Sequence, residues 1–199
     1  MNDVTYDFDF GKKYLLMGKS GIGKSTLLNA IIGYTEIKNG SIDVTDGVDK
    51  ASNVNETSHL IGYVHQKPFL FIGNLVENIT MFSKNPDMDK VTLLIKRCKL
   101  DDFASQRGLY APLDNSSNAI SIGEMQRISL ARTLYLDRPI LFLDEITSSL
   151  DEKNAKEIND VIRNNENKLI IWISHSRDMK ELSWIDKKIK IENAKIAEI

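Results

Sequence analysis

Residues 18–25 read Gly-Lys-Ser-Gly-Ile-Gly-Lys-Ser, a match to the phosphate-loop pattern G-x-x-x-x-G-K-[ST]. The motif constrains a fold tightly, because such a loop works only between a strand that ends beneath it and a helix that starts from it. Both flanks are present. Tyr14-Leu15-Leu16-Met17 predicts a short buried strand, and residues 25–32 predict an amphipathic helix stopped by Gly33. In that order, backbone N–H groups and the positive end of the helix would wrap an oligophosphate, with contacts expected at Gly18, Ser20, Gly21, Ile22, Gly23, Lys24, Ser25 and Thr26. Lys24 would reach the β- and γ-phosphates, and the Ser25 hydroxyl would hold Mg²⁺. An accidental glycine turn would satisfy the pattern without needing these flanks.

At 199 residues and 42% hydrophobic, the chain can bury one sizeable core with room for an inserted subdomain. Lys and Arg number 26 against 28 Asp and Glu, and the signs are interspersed, so no basic field points to a nucleic-acid partner. Cys98 is the only cysteine, which excludes an internal disulfide and a multi-cysteine metal site and reads as a buried small side chain. No apolar run approaches the roughly 20 residues needed to span a bilayer, and residues 1–10 lack a basic start and an apolar core. The chain itself therefore reads as soluble and cytoplasmic.

Val4, Tyr6, Phe8 and Phe10 alternate with Thr5, Asp7 and Asp9, which predicts a half-buried strand over 4–10 that turns at Gly11 into the phosphate-loop strand. Residues 40–44 and 61–65 are further expected strands, with a polar loop or short helix over 45–58 between them. The stretch from about 67 to 135 reads as mostly helical. Continuous apolar runs at 140–143 and 169–173 suit central parallel strands covered on both faces, with a polar-faced helix over 151–165 between them. Residues 187–192 and 195–198 would close the chain as a hairpin. The expected fold is α/β with a mostly parallel sheet opened by a short antiparallel N-terminal β part, divided into a core of 1–66 and 136–199 and an inserted helical unit of 67–135.

The apolar run Leu141-Phe142-Leu143 ends in Asp144-Glu145, which sets Asp144 at the carboxyl edge of the sheet, where a nucleotide sits. Asp144 can hold Mg²⁺, and Glu145, one residue further out, can polarise an attacking water. Ser121 and Glu124 satisfy the S-x-x-E capping box at a second glycine turn entering a helix, which is a sufficient structural explanation of that stretch.

Gln66, the 120–124 stretch, Asp144-Glu145, Ser148-Ser149-Leu150-Asp151 and His175 follow the phosphate loop in order, and with this set the chain resembles the nucleotide-binding domain of ABC transporters over nearly all its length. The resemblance implies that ATP is the nucleotide and that Gln66 senses Mg²⁺ and the attacking water. Ile120-Ser121-Ile122-Gly123-Glu124 is similar to the family's L-S-G-G-Q signature. Glu145 resembles its general base and His175 the histidine at the γ-phosphate. It further implies a head-to-tail pair, in which Ser121, Gly123 and Glu124 of one domain cover ATP on the other, and a place at the inner face of a membrane beside transmembrane domains. Residues 66–79 resemble the exporter version, whose coupling helices dock around Phe69, Leu70 and Phe71; those side chains would equally serve as subdomain core.

Two departures stand against the family pattern. Ile122 occupies a position where the family places glycine, and the family's two leading strands, with the aromatic that stacks on adenine, precede anything in this chain. Tyr6 does not match that aromatic. The chain would then be either a piece of a longer exporter or a shortened stand-alone domain. A weakly hydrolysing regulatory subunit is the alternative that these departures favour. A nucleic-acid-linked ATPase of the same fold would need a long coiled coil or DNA-binding module, and roughly 100 residues between Lys24 and Ser121 leave no room for one. The 121–127 stretch disfavours a phosphate-loop kinase.

Overall fold

Three runs without a polar face demand cover on both sides of a sheet, and the computed structural model supplies it. It describes residues 4–45, 50–51, 58–113, 120–148, 150–174, 182–192 and 195–199. The strands are β1 (Lys13–Met17), β2 (Val44–Thr45), β3 (Lys50–Ala51), β4 (Ile61–Val64), β5 (Ile140–Asp144), β6 (Leu169–Ile173), β7 (Lys187–Glu192) and β8 (Lys195–Glu198). Six of them form one sheet in the order β4-β5-β6-β1-β7-β8, parallel throughout except for the β7–β8 hairpin. β2 and β3 pair apart from it as an antiparallel two-residue bridge.

The helices are α1 (Lys24–Ile32), α2 (Leu75–Thr80), α3 (Met88–Arg97), α4 (Asp101–Arg107), α5 (Ile122–Tyr135) and α6 (Glu152–Arg163). Local chemistry sets their ends. Asn74 and Glu77 cap the start of α2 reciprocally, Asp87 and Asp151 accept from backbone N–H groups at the starts of α3 and α6, and Gly33 closes α1 in the left-handed region at φ 93°.

Period-2 alternation sorts the strand side chains onto two faces. Leu15, Leu141, Leu143, Ile170 and Trp172 join one core cluster with Leu75, Leu94, Phe103, Ile128 and Ile158 of the helices. Tyr14, Leu16, Phe142, Ile171 and Ile173 join the other with Leu28 and Ile32 of α1. Helices α2 to α5 thus share their core with the sheet. Cys98 caps α3, is 1% exposed, and burial pushes its thiol up to about 12, as expected of a small core side chain.

Two expected strands change. Residues 4–9 keep the alternation, with Tyr6 and Phe8 half-buried and Thr5, Asp7 and Asp9 exposed, but Phe10 is 62% exposed against expectation, and the segment forms no ladder. Side-chain contacts rather than a strand ladder hold the segment. The Asp9 N–H donates to the Tyr14 hydroxyl at 2.8 Å, the Tyr6 hydroxyl donates to Glu198 at 2.6 Å, and the rings of Tyr6 and Phe8 meet Tyr14 edge-on. The strand expected over 40–44 shrinks to Val44–Thr45.

Gly62 marks a close approach between sheet and helix: a Cβ there would lie 2.6 Å from Thr133 Cγ2 of α5 and 3.1 Å from Leu141 Cδ2 of β5. Gly62→Ala should therefore destabilise the fold by about 1–3 kcal/mol through overpacking. Urea denaturation checks this, and an unchanged midpoint would contradict the packing described.

Candidate functional site

Parallel pairing delivers the strand ends to one edge. Val64 pairs with Leu143, Asp144 with Ile173, and Leu16 with Ile173, so the residues that follow β4, β5 and β1 leave the sheet side by side. From β1 the chain enters the glycine loop at Gly18, whose φ of 153° and Cβ direction, 3.1 Å from both Ile191 O and Ile22 Cγ2, suit a residue without a side chain. Gly23, at φ 105°, turns the chain into α1. Lys24 is 5% exposed and curls back into the loop, its Nζ donating to the carbonyls of Gly18 at 3.0 Å and Lys19 at 3.1 Å. An ammonium so placed is held ready for an anion in the loop. Ser20 and Thr26 are exposed, Ser25 is half-buried, and Ile22 packs on the α1-side core.

A groove of about 480 Å³ lies beside the loop. Ser25, Tyr63, His65, Gln66 and Asp144 line it, with Asn29, Tyr34, Lys67 and Phe69 completing the wall. Asp144 is 7% exposed and accepts from the Tyr63 hydroxyl at 3.1 Å. Burial first, and then the Asp144 charge, raise the pKa of that phenol, so it stays a donor. His65 packs against the Tyr63 ring with centroids 3.9 Å apart, and burial lowers its pKa against a smaller opposing pull from Asp144, which keeps the imidazole neutral at pH 7.

Glu145 sits in the left-handed region at φ 49°, a conformation costing roughly 1–2 kcal/mol in a residue with a side chain. Neighbours hold it there. Its N–H donates to Ile173 O at 2.9 Å, and its carbonyl accepts from the Ser148 N–H at 3.0 Å and the Ser148 hydroxyl at 2.8 Å. Its carboxylate accepts from Gln66 Nε2 at 2.6 Å. Ser25, Gln66, Asp144 and Glu145, distant in sequence, therefore meet. A hydroxyl, an amide oxygen and a carboxylate around one groove form an oxygen donor set that suits a hard divalent cation beside an oligophosphate, and the buried Lys24 and the open glycine loop fit the phosphates.

Ser121, Gly123 and Glu124 lie elsewhere. With Ile122, Leu150 and Asp151 they border a separate cavity of about 260 Å³ that shares no lining residue with the groove. Ser121 Oγ accepts the Glu124 N–H at 3.2 Å, and the Glu124 carboxylate accepts the Ser121 N–H and hydroxyl, both at 2.7 Å. A Cβ on Gly123 would lie 3.3 Å from Leu150 Cδ2, and Ile122 is 50% exposed. Arg127 bonds Glu157 at 2.8 Å and also Asn154, which in turn bonds Asp151. The starts of α5 and α6 are tied together in this way. His175 and Ser149 lie outside the described residues.

Sequence reasoning missed Tyr63, His65, Asn29 and Arg127. The first two were open to discovery as alternate positions, one in β4 and one just past its end, leading into Gln66, and Asn29 as the residue one helical turn after Ser25. Arg127 reaches partners some 30 positions away, and no local pattern announces it.

Residues 1–148 match the family model described as ABC transporter. The mesentericin-Y105 transport/processing ATP-binding protein MesD of Leuconostoc mesenteroides is 32% identical over 100% of this chain and 27% of its own length. The mycobactin import ATP-binding/permease protein IrtB of Mycolicibacterium smegmatis is 32% identical over 81% of this chain and 28% of its own length. A solved bacterial Atm1-family ABC exporter with ATP bound shares the fold with a TM-score of 0.84 at 24% identity, over 98% of this chain and 35% of that one. The chain thus spans about a third or less of each.

Ser121→Ala removes the Oγ that accepts the Glu124 N–H and donates to the Glu124 carboxylate, and leaves the Ser121 N–H bond to Glu124. The substitution should lower stability by about 1 kcal/mol, read as a shift of the urea midpoint. An unchanged midpoint would mean that the cap contributes nothing to α5.

Proposed function

The chain belongs to the ABC transporter family, and we propose that it works as the ATP-binding and ATP-hydrolysing domain of a membrane exporter, in a head-to-tail pair. The observation that carries this reading is the division of the site. The glycine loop, Gln66, Asp144 and Glu145 gather at one sheet edge, while Ser121 and Gly123 border a cavity that shares no residue with that edge. Two half-sites on one chain call for a second chain, because each half then meets its complement. In this reading residues 67–135 act as the helical unit that presents Ser121 and Gly123, against a core of 1–66 and 136–199.

ATP enters with its phosphates in the loop, and Lys24 exchanges the Gly18 and Lys19 carbonyls for the β- and γ-phosphate oxygens. Ser25, Gln66 and Asp144 would hold Mg²⁺, which supplies charge neutralisation at those oxygens when bound. Glu145 takes a proton from the attacking water, with Gln66 fixing the carboxylate by its hydrogen bond. His175 contacts the γ-phosphate, as the resemblance implies. Ser121, Gly123 and Glu124 of the partner close the site from the other side.

Export is supported by the 66–79 stretch, and the same stretch carries a docking surface for transmembrane domains. Within it Phe69 is 48% exposed and Ile72 94%, large apolar side chains that water alone does not favour, whereas Leu70, 5% exposed, belongs to the core. Among the described residues no helix is long and apolar enough to cross a membrane.

A weakly hydrolysing subunit is the second reading, favoured by the half-exposed Ile122 on the wall of the signature cavity. One paired experiment separates the two. Lys24→Ala should abolish ATP binding in calorimetry, since the ammonium contributes on the order of 2–4 kcal/mol in a preorganised site. Glu145→Gln should keep binding, lose about a hundredfold or more in turnover, and accumulate as a dimer with ATP and Mg²⁺ in size-exclusion chromatography. Wild-type turnover in Glu145→Gln would overturn its assignment as the base, and negligible turnover in the wild-type chain would favour the second reading.

A further inference from the structure

Arg132, on α5 below the signature cavity, is 6% exposed, and no carboxylate among the described residues pairs with it. A buried guanidinium needs acceptors for its fork of N–H groups, and here one loop and the helix that follows provide them. Arg132 Nε donates to Asn78 O at 2.8 Å, Nη2 donates to Asn78 Oδ1 at 2.8 Å, and both Nη atoms reach Phe69 O at 3.3 Å. The guanidinium carbon lies 5.1 and 4.6 Å from the ring centroids of Phe69 and Phe71. Asn78 is fully buried and completes the frame, accepting the Phe71 N–H at 2.9 Å and donating to Phe71 O at 3.0 Å. On its far side the loop is pinned again, where Leu113 N–H donates to Gly73 O at 2.8 Å.

We propose that Arg132 is a positioning residue that locks the loop of residues 67–73 to α5, so that the Ser121 end of the helix and the Gln66 end of the loop move as one body. The argument rests on the reading above that Gln66 and Ser121 belong to the ATP site. Arg132 lies eleven residues beyond Ser121, about 16 Å along a continuous helix, and its acceptor Phe69 lies three residues beyond Gln66. If the loop shifted without the helix, the buried guanidinium would lose Phe69 O and both stacked rings, and Asn78, which it also holds, would lose its two bonds to Phe71, and that penalty makes independent motion unfavourable. Burial lowers the guanidinium pKa only to about 10, so the charge persists at neutral pH. A lysine keeps the charge but not the planar fork or the stacking on two rings.

Arg132→Lys tests the link in the full chain. Ile72→Cys, at a position 94% exposed, takes a nitroxide label while Cys98, 1% exposed, does not, and Leu93→Cys on α3, 55% exposed, gives a second label as control. In Arg132→Lys the label at 72 should gain mobility while the label at 93 does not, and kcat for ATP should fall about tenfold with KM held within about twofold. Equal gains at both labels, no gain at 72, or an unchanged kcat would overturn the proposal. Should Arg132→Lys fail to fold, Phe69→Leu, which removes one stacked ring at a half-exposed position, should raise mobility at 72 alone; no rise there overturns the proposal. If the unsubstituted chain hydrolyses no ATP, the reading of the site fails, and the two labels still decide whether Arg132 holds the loop.

Discussion

In a parallel ladder every strand ends on the same side, and the in-register pairing of β4, β5, β6 and β1 is what the rest of the structure depends on. Sequence separates Gly18, Gln66 and Glu145 by tens of residues, yet each leaves the sheet one or two positions past a paired residue. A slip of one residue in β5 would exchange Leu141 and Leu143 with Phe142 between the two cores and carry Asp144 away from Tyr63. Burial on both faces forbids that slip. The apolar content of these strands is therefore a positional device for the polar residues at their ends.

Around that edge the chain keeps polar and strained features that a plain core would avoid. Lys24 is buried on backbone carbonyls, Glu145 holds a left-handed backbone, and Arg132 is buried against α2 and the loop before it with no carboxylate paired to it among the described residues. Each is tied down by several hydrogen bonds, which is how such costs persist in a folded protein. Their shared result is geometric. The phosphate loop, the carboxylates and Gln66 form one fixed cluster, and the capped start of α5 forms another that is fixed with respect to α6 through Arg127 and Asn154.

Much of this was legible in the sequence wherever the signal was local. Residues 18–25 carry their own flanks, Asp144-Glu145 ends an unbroken apolar run, and Ser121 with Glu124 spells its cap, so β1, α1, β5 and the start of α5 fall where expected. The 4–10 segment misled because alternation reports which side chains face the core, and not whether the backbone has a partner strand; Tyr6 and Asp9 are held by Glu198 and Tyr14 instead. The contacts of Tyr63 with Asp144 and of Arg132 with Asn78 span 81 and 54 positions. They depend on the assembled sheet and helix packing, which no window of sequence contains.

The central claim is that one chain carries two half-sites and that two chains complete them. The rate of ATP hydrolysis per chain, followed through a wide dilution series of the purified protein, tests it most directly. The account predicts that the rate per chain climbs with protein concentration and levels off as pairs fill. A rate per chain that stays constant on dilution, or no hydrolysis at any concentration, would contradict it.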